Sequence, residues 1–468
     1  MITTMFALLA LASCKQKEAT IAVEEPKELA AWTPEMEENA VIYEANIRQY
    51  SPEGTFEKFT QDIPQLKELG VKVIWLMPVF PISKTKRKAT GGADSKFASD
   101  MPEAEQSKYL GSYYAVSDFT KINPEFGTIE DFRALVKTAH DNGIYVILDW
   151  VPNHTGWDHE WIKSNPDYYT QNEKDEIIHP EGTDWEDVAD LNYDNQNMRK
   201  EMIEDMQYWL KKESVDGFRC DVAGSVPTDF WAEAIPQLRA VKPVFMLAEA
   251  WEPELVKEGL FDMCYAWDGH HLMNGIAKGE KSVADFNAYI EKVNKDYAAE
   301  AFLMNFVDNH DENSWNGTIK ERMGDGAEAM MALSYMMPGM PLIYSGDEYG
   351  LDHRLLFFEK DSIPKTKGKN WAIFAKLGKL KESETALKGG KNAAAFKSFS
   401  LENKNVMAFE RSKADASLKF LANMSKDALE VEVPFEGTFT DKMTGEKVVL
   451  EKGKKISLQP WQYFILGN

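Results

Sequence analysis

The chain has 468 residues, 76 acidic against 53 basic side chains, a formal net charge of −23 and 44% hydrophobic residues. With a mean hydropathy of −0.43, this fits a soluble globular protein long enough for one large barrel plus an accessory domain. The acidic balance excludes nucleic acid or anionic lipid held on a basic surface, and three cysteines are too few for a disulfide framework.

The chain opens with an apolar run from Met5 to Ala12, too short to span a bilayer and placed like the core of a signal peptide. It ends in Leu11-Ala12-Ser13-Cys14, which resembles a bacterial lipobox. The expectation is a signal peptide over 1–13, lipidation of Cys14 and a polar tether over 14–40. That places the protein outside the bacterial inner membrane, held by its lipid in the periplasm or at the outer membrane and cell surface. Cys220 and Cys264 sit in apolar strand-like runs and read as small core hydrophobes, and no Cys/His spacing suggests zinc.

From residue 41 short β-rich runs alternate with helical patterns. The predicted strands are AVIYEANI (40–47), VKVIWLMP (71–78), YVILDWV (145–151), GFRCDV (217–222), VFMLAEAW (244–251), MCYAW (263–267), AFLMNFVDN (301–309) and PLIYSGDE (341–348). Each is followed by a helical stretch, the fifth being the shortest, near Glu254–Glu258. This is the pattern of a (β/α)8 barrel, an α/β fold, over residues 41–389. Residues 83–127 and 152–192 form long connections after the second and third strands, the second being a short loop domain rich in aromatic and acidic side chains. Loops of that length inside a compact domain commonly carry function, and both lie on the face where such barrels place their sites. From 390 to 468 short alternating strands predict a C-terminal antiparallel β-sandwich.

Within GFRCDVAG, alternation sends Arg219 and Asp221 to one face while Phe218, Cys220 and Val222 pack on the other. On its own the pair fits a structural ion pair. Other strand ends change that reading: strand three ends in Asp149 and runs into Asn153-His154, strand five ends in Glu249, and strand seven runs into His310-Asp311. In a parallel barrel all of these converge on one mouth, and like charges gathered there are destabilising without a functional reason. Two carboxylates with a third charge to tune them are what glycosidic bond cleavage requires. One attacks or stabilises the oxocarbenium-like centre while the other protonates the leaving oxygen.

DWVPNH, GFRCDVAG, the glutamate of LAEAW and FVDNHD stand in the order of the four signature regions of the α-amylase superfamily, glycoside hydrolase family 13, which the chain resembles from Val41 on. VADLNYDN (188–195) resembles an additional region of that family, and GSYYAVSDFTKINPEFGT (111–128) its segment leading into the second helix. The resemblance implies that Asp221 is the nucleophile, Glu249 the general acid/base and Asp311 a third carboxylate that grips sugar hydroxyls and helps keep Glu249 protonated. It implies that Arg219 holds Asp221, that His154 and His310 hydrogen-bond the sugar, and that Asp149 supports the site. Tyr114 is the implied stacking platform, with Tyr113 its rival; counting back from NPEFGT selects Tyr114. Asn153 and Asp190 match positions that bind a structural calcium ion in many members.

The family's endo-acting amylases often carry Lys-His three and four residues after the nucleophile, whereas this chain has Gly224 and Ser225. DVAGSV followed by FW is closer to the neopullulanase and cyclomaltodextrinase branch, although that branch's N-terminal β-domain is missing here. The expected function is a retaining glycoside hydrolase cleaving α-1,4-glucosidic bonds of starch, glycogen or maltooligosaccharides. Its rivals are a neopullulanase- or cyclomaltodextrinase-like hydrolase, a transglycosylase on the same site, and a non-catalytic glucan-binding protein.

Overall fold

The computed structural model describes residues 29–257, 259–298 and 301–468. Eight strands close into a parallel barrel: β1 (Ile42–Ala45), β2 (Val73–Leu76), β3 (Tyr145–Trp150), β4 (Gly217–Cys220), β5 (Phe245–Ala248), β6 (Met263–Tyr265), β7 (Phe302–Asn305) and β8 (Met340–Tyr344). β8 pairs back to β1 through Ile42 and Leu342. Alternation sorts their side chains. Ile42, Val73, Trp75, Ile147, Leu247, Tyr265 and Met304 fill the interior, while Tyr43, Ile74, Leu76, Val146, Phe218 and Cys220 pack outward under the helices.

The helices are amphipathic in the expected way. In Ile129–Asp141, Phe132, Leu135, Val136 and Ala139 are buried at spacings of three and four, and Thr128 with Asp131 forms a reciprocal cap at the N-terminus. Among the described residues the fifth connection has only the 3-10 turn Pro253–Val256. Arg239 braces the segment beyond it, reaching Leu260 O and Asp262 at 2.8 Å.

The strands are shorter than the sequence patterns. β4 stops at Cys220, β5 at Ala248 and β7 at Asn305, so Asp221, Glu249, His310 and Asp311 stand just beyond strand ends. Val222, expected to pack outward with Phe218 and Cys220, instead turns into the left-handed region at φ +37° and lines the cleft. That conformation is costly for a β-branched residue and marks the turn that follows Asp221 as strained.

Residues 29–40, assigned to the tether from sequence, pack beneath the barrel instead. Trp32 is 5% exposed and meets Tyr145 edge-on at 4.8 Å and Phe245 at 4.9 Å, plugging the interior from below. An indole over an open barrel floor gains more by burial than a tether gains by solvation. The signal segment 1–13 and Cys14 lie outside the described residues. Among the described residues no helix is long and apolar enough to cross a membrane.

After helix Lys369–Ser383 the chain builds a six-stranded sheet, antiparallel throughout, and a two-stranded one, Leu429–Glu432 with Lys455–Leu458. Val406, Ala408 and Leu421 face Val431 and Leu458 in a small core. The alternate residues Met407, Phe409 and Phe420 join the main core. Arg411 fastens the junction, donating to Met336 O and Lys388 O at 3.0 Å.

Candidate active site

A cleft of about 490 Å³ opens at the C-terminal ends of the strands, lined among others by Tyr114, His154, Asp221, Glu249, His310 and Asp311. Its floor is built from inward side chains of adjacent strands. The β3–β4 register sets Asp149 opposite Arg219, and both are fully buried.

Arg219 organises the floor. Nη1 donates to Asp149 Oδ1 and to Asp221 Oδ1, each at 2.8 Å. Nε donates to the Tyr265 hydroxyl at 3.0 Å. Nη2 lies 2.8 Å from Glu249 Oε2 but off the hydrogen-bonding line. The guanidinium also rests 4.8 Å from the Trp75 ring centroid. One cation therefore touches three carboxylates, including both expected to carry the chemistry. The sequence reading had given it only Asp221.

The remaining contacts orient the carboxylates. Asp149 Oδ2 accepts from Trp75 Nε1 and from the Tyr114 hydroxyl, both at 3.1 Å. Glu249 Oε2 accepts from Val222 N at 2.9 Å, so the strained turn supplies a backbone donor. His310 lies between two acids, with Nδ1 2.5 Å from Glu44 Oε1 and Nε2 3.4 Å from Asp311 Oδ2. Its Nε2 is also 2.7 Å from the Tyr114 hydroxyl.

These surroundings set the charges. Burial lifts Asp149 to about 6 in spite of Arg219. Burial pushes Asp221 well above the usual carboxylate range, Glu249 and Asp149 push the same way, and Arg219 pulls against them. Burial also raises Asp311, opposed by His310. Against burial, the charges of Asp311 and Glu44 carry His310 up to about 9, so it is an imidazolium at neutral pH. Burial takes His154 down to about 4, which keeps it neutral.

Of the two rival tyrosines, Tyr114 lines the cleft, while Tyr113 donates to Asn46 Oδ1 at 3.0 Å and lies under Arg48. Asp190 ends the ribbon His154–Gly156 with Val188–Asp190, and Asn153 stands just before its first strand, neither of them among the residues that line the cleft. Asn153 Nδ2 is 3.1 Å from His154 Nδ1. Asp190 is raised by burial and held back by the Thr170 hydroxyl and by His179. Calcium takes six to eight oxygens, and these two side chains do not by themselves make such a site. Among the described residues no group of three or more His, Cys, Asp and Glu side chains gathers as a metal site.

Sequence reasoning missed Glu44, Trp75 and Tyr265. Glu44 had a visible signal, an acid in the apolar run AVIYEANI; Trp75 and Tyr265 look like ordinary core aromatics. It also missed Lys88, Trp185, Asp187 and Trp315, which line the cleft from long loops.

A closed parallel barrel with carboxylates just past the ends of β4 and β5 bridged by one arginine, and a third acid beyond β7, defines a (β/α)8 protein with a glycosidase-type site. Residues 37–388 match the family described as "Alpha amylase, catalytic domain", and the chain belongs to that family. It is 28% identical over 343 residues to α-amylase MalA of Haloarcula japonica, which covers 71% of this chain and 47% of that protein. It is 27% identical over 354 residues to α-amylase 3 of Dictyoglomus thermophilum, covering 67% of this chain and 64% of that one. The chain thus spans about half to two thirds of the length of these curated relatives. A solved maltogenic α-amylase, AmyB of Thermotoga neapolitana, superposes with a TM-score of 0.80 at 25% identity, covering 92% of this chain and 98% of that one.

Proposed function

We propose that the protein is a retaining glycoside hydrolase acting on α-1,4-linked glucans, with Asp221 as nucleophile and Glu249 as general acid/base. The observation that carries this reading is the single buried guanidinium of Arg219, which contacts Asp149, Asp221 and Glu249 at the floor of an open cleft. Arg219 engages Oδ1 of Asp221 and leaves Oδ2 to attack the anomeric carbon. Its charge is the one that opposes protonation of a nucleophile that burial disfavours as an anion.

Glu249 Oε2 is anchored by Val222 N, which leaves Oε1 to give its proton to the departing glycosidic oxygen. The same carboxylate then takes a proton from the water that opens the glycosyl-enzyme. Asp311 and the His310 imidazolium grip sugar hydroxyls, neutral His154 hydrogen-bonds the same ring, and Tyr114 stacks beneath it. Asp149 holds Arg219 and Tyr114 in place.

A neopullulanase- or cyclomaltodextrinase-like specificity has one observation in its favour. A Cβ at Gly224, where the family's endo-acting amylases often carry lysine, would come within 2.6 Å of the Glu252 carboxylate. The space beside the leaving group is therefore bordered by an acid. The test is release of new reducing ends from soluble starch, pullulan and β-cyclodextrin. Redistributed chain lengths without net hydrolysis would favour a transglycosylase, and no change on any substrate would favour a binding protein. Lipid anchoring at Cys14 belongs to the same reading, supported by the lipobox-like sequence. Cys14→Ala should shift the protein from the membrane to the soluble fraction.

A further inference from the structure

The loop between β2 and helix Ile129–Asp141 is sewn to its neighbours at both ends. Lys84 N and Thr85 N donate to Asp158 Oδ2 at 2.5 and 3.1 Å, on the β3 loop. Leu110 N donates to Phe358 O at 2.6 Å, on the β8 loop. Between these anchors it crosses the rim of the cleft as an arch with a foot on each side.

The foot toward β3 is polar. Gly92 N donates to Asp184 Oδ2 at 3.1 Å. Lys88, 4% exposed, donates to Asp184 O and lies 3.8 Å from Asp187. Burial lifts Asp187 to about 6 despite Lys88. Pulling Lys88 out would leave the buried Asp187 without its cation, which ties this foot down. The foot toward β7 and β8 is aromatic and bare of side chain. A Cβ at Gly91 would stand 3.0 Å from the Trp315 ring and 3.3 Å from Phe358, so the backbone lies directly on both rings.

Around the barrel the arch joins the loops of β2, β3, β7 and β8, and among the described residues no hydrogen bond ties it to the loops of β4, β5 or β6. Tyr114, His310 and Asp311 belong to the covered side. On the open side, past Glu249, Trp251 is 52% exposed and stacks on Trp267 at 5.5 Å. The attack of Asp221 on the anomeric carbon places the glycone toward Tyr114, His310 and Asp311, and the leaving group toward Glu249.

We infer that the cleft is blind on the glycone side, so that the enzyme works from non-reducing chain ends and releases short oligosaccharides while the rest of the glucan leaves past Trp251. This rests on the reading of the cleft as a glucan-cleaving site. Internal cleavage would need the glycone chain to continue through the arch, where Lys88, Gly91 and Trp315 stand in its way.

The test compares p-nitrophenyl α-maltoheptaoside with the same compound carrying a 4,6-ethylidene group on its non-reducing terminal glucose, with products separated by chromatography. The blocked compound should be cleaved at least about 100-fold more slowly, because its added bulk meets a wall. Trp315→Ala removes one edge of the wall at a residue 43% exposed, and should raise the relative rate on the blocked compound about tenfold. Equal rates on the two compounds, with starch still hydrolysed, would overturn the blind end and leave the hydrolase reading standing. Discrimination that Trp315→Ala leaves untouched would also overturn it, since the arch would not be its source. Failure to cleave either compound or starch would remove both readings.

Discussion

Arg322 and Arg219 are both buried among carboxylates, and only the acids of Arg219 open into the cleft. Arg322 donates to Asp308 Oδ1 at 2.7 Å, to Gly317 O at 2.7 Å, to Val307 O at 2.9 Å and to Asn274 Oδ1 at 3.1 Å. Glu312 stands 3.8 Å away and pairs with His270 at 3.0 Å. Every nitrogen of Arg322 has an acceptor, and the network clamps the turn after β7 to helix Trp267–Lys278. Arg219 is fully buried, yet its Nη2 lies beside Glu249 without a directed hydrogen bond, and two of its three acids open into the cleft.

Perturbed acidity does not separate the two networks. Burial lifts Asp308 to about 7, above the roughly 6 of Asp149. Against burial, His270 and Arg322 bring Glu312 down to about 2. What separates them is satisfaction and access: a closed network holds the fold, and an incompletely satisfied one beside a cavity is poised for a ligand.

The largest effect expected of this contrast is on turnover. Asp221→Asn should lower kcat/KM on maltooligosaccharides on the order of 10⁴-fold or more, with Tm little changed, because it removes the attacking oxygen at constant volume. Activity within tenfold of the parent would return Arg219 and its acids to the structural class.

The mirror experiment is Arg322→Met. It strands Asp308, whose charge Arg322 pairs at 2.7 Å, and should cost about 3–5 kcal/mol of stability by denaturant titration. The folded fraction should keep a kcat within about threefold of the parent. A loss of activity without a loss of stability would show that the Arg322 network reaches the site.

A smaller, pH-dependent effect is expected at Glu44. His310 stands at about 9 in the fold against an ordinary 6.5, so it binds a proton more tightly folded than unfolded. Its contribution to stability is complete below about pH 6.5 and is lost as pH rises through about 9. Glu44→Gln removes one of the charges that lift it. The Tm advantage of the parent over the variant should be greatest near pH 6 and close above pH 9. A gap constant from pH 6 to 10 would show that Glu44 does not lift His310.

The least effect is expected of chelation. Because Asn153 and Asp190 do not by themselves make a calcium site, EDTA should move Tm by less than about 2 °C. A large fall reversed by Ca²⁺ would mean that backbone carbonyls complete a calcium site at the ribbon.

The barrel was legible because alternation within each strand and amphipathy between strands repeat over the whole chain. Asp149, Arg219, Asp221, Glu249, His310 and Asp311 stood out because charge at the end of an apolar run has few structural explanations. Other features depend on distant pairings that no local pattern encodes. Trp32 reads as the end of a polar tether until the barrel floor it fills is known. Val222 reads as the outward member of an alternating strand until the chain turns after Asp221. The arch depends on Gly91 meeting Trp315 and Phe358 across more than two hundred residues, and no local pattern announces that meeting.

The difference between the two arginine networks comes down to whether Asp221 forms a bond to sugar. Incubation with 5-fluoro-α-D-glucosyl fluoride, followed by proteolysis and mass spectrometry, reads this directly, since a slow-turnover glycosyl donor accumulates on the nucleophile. The expected result is one glycosylated peptide containing Val215–Asp221, labelled on Asp221 and absent in Asp221→Asn. Label on Glu249 or Asp311, or an unlabelled enzyme that still hydrolyses starch with inversion at the anomeric carbon, would contradict the assignment of Asp221 as the nucleophile.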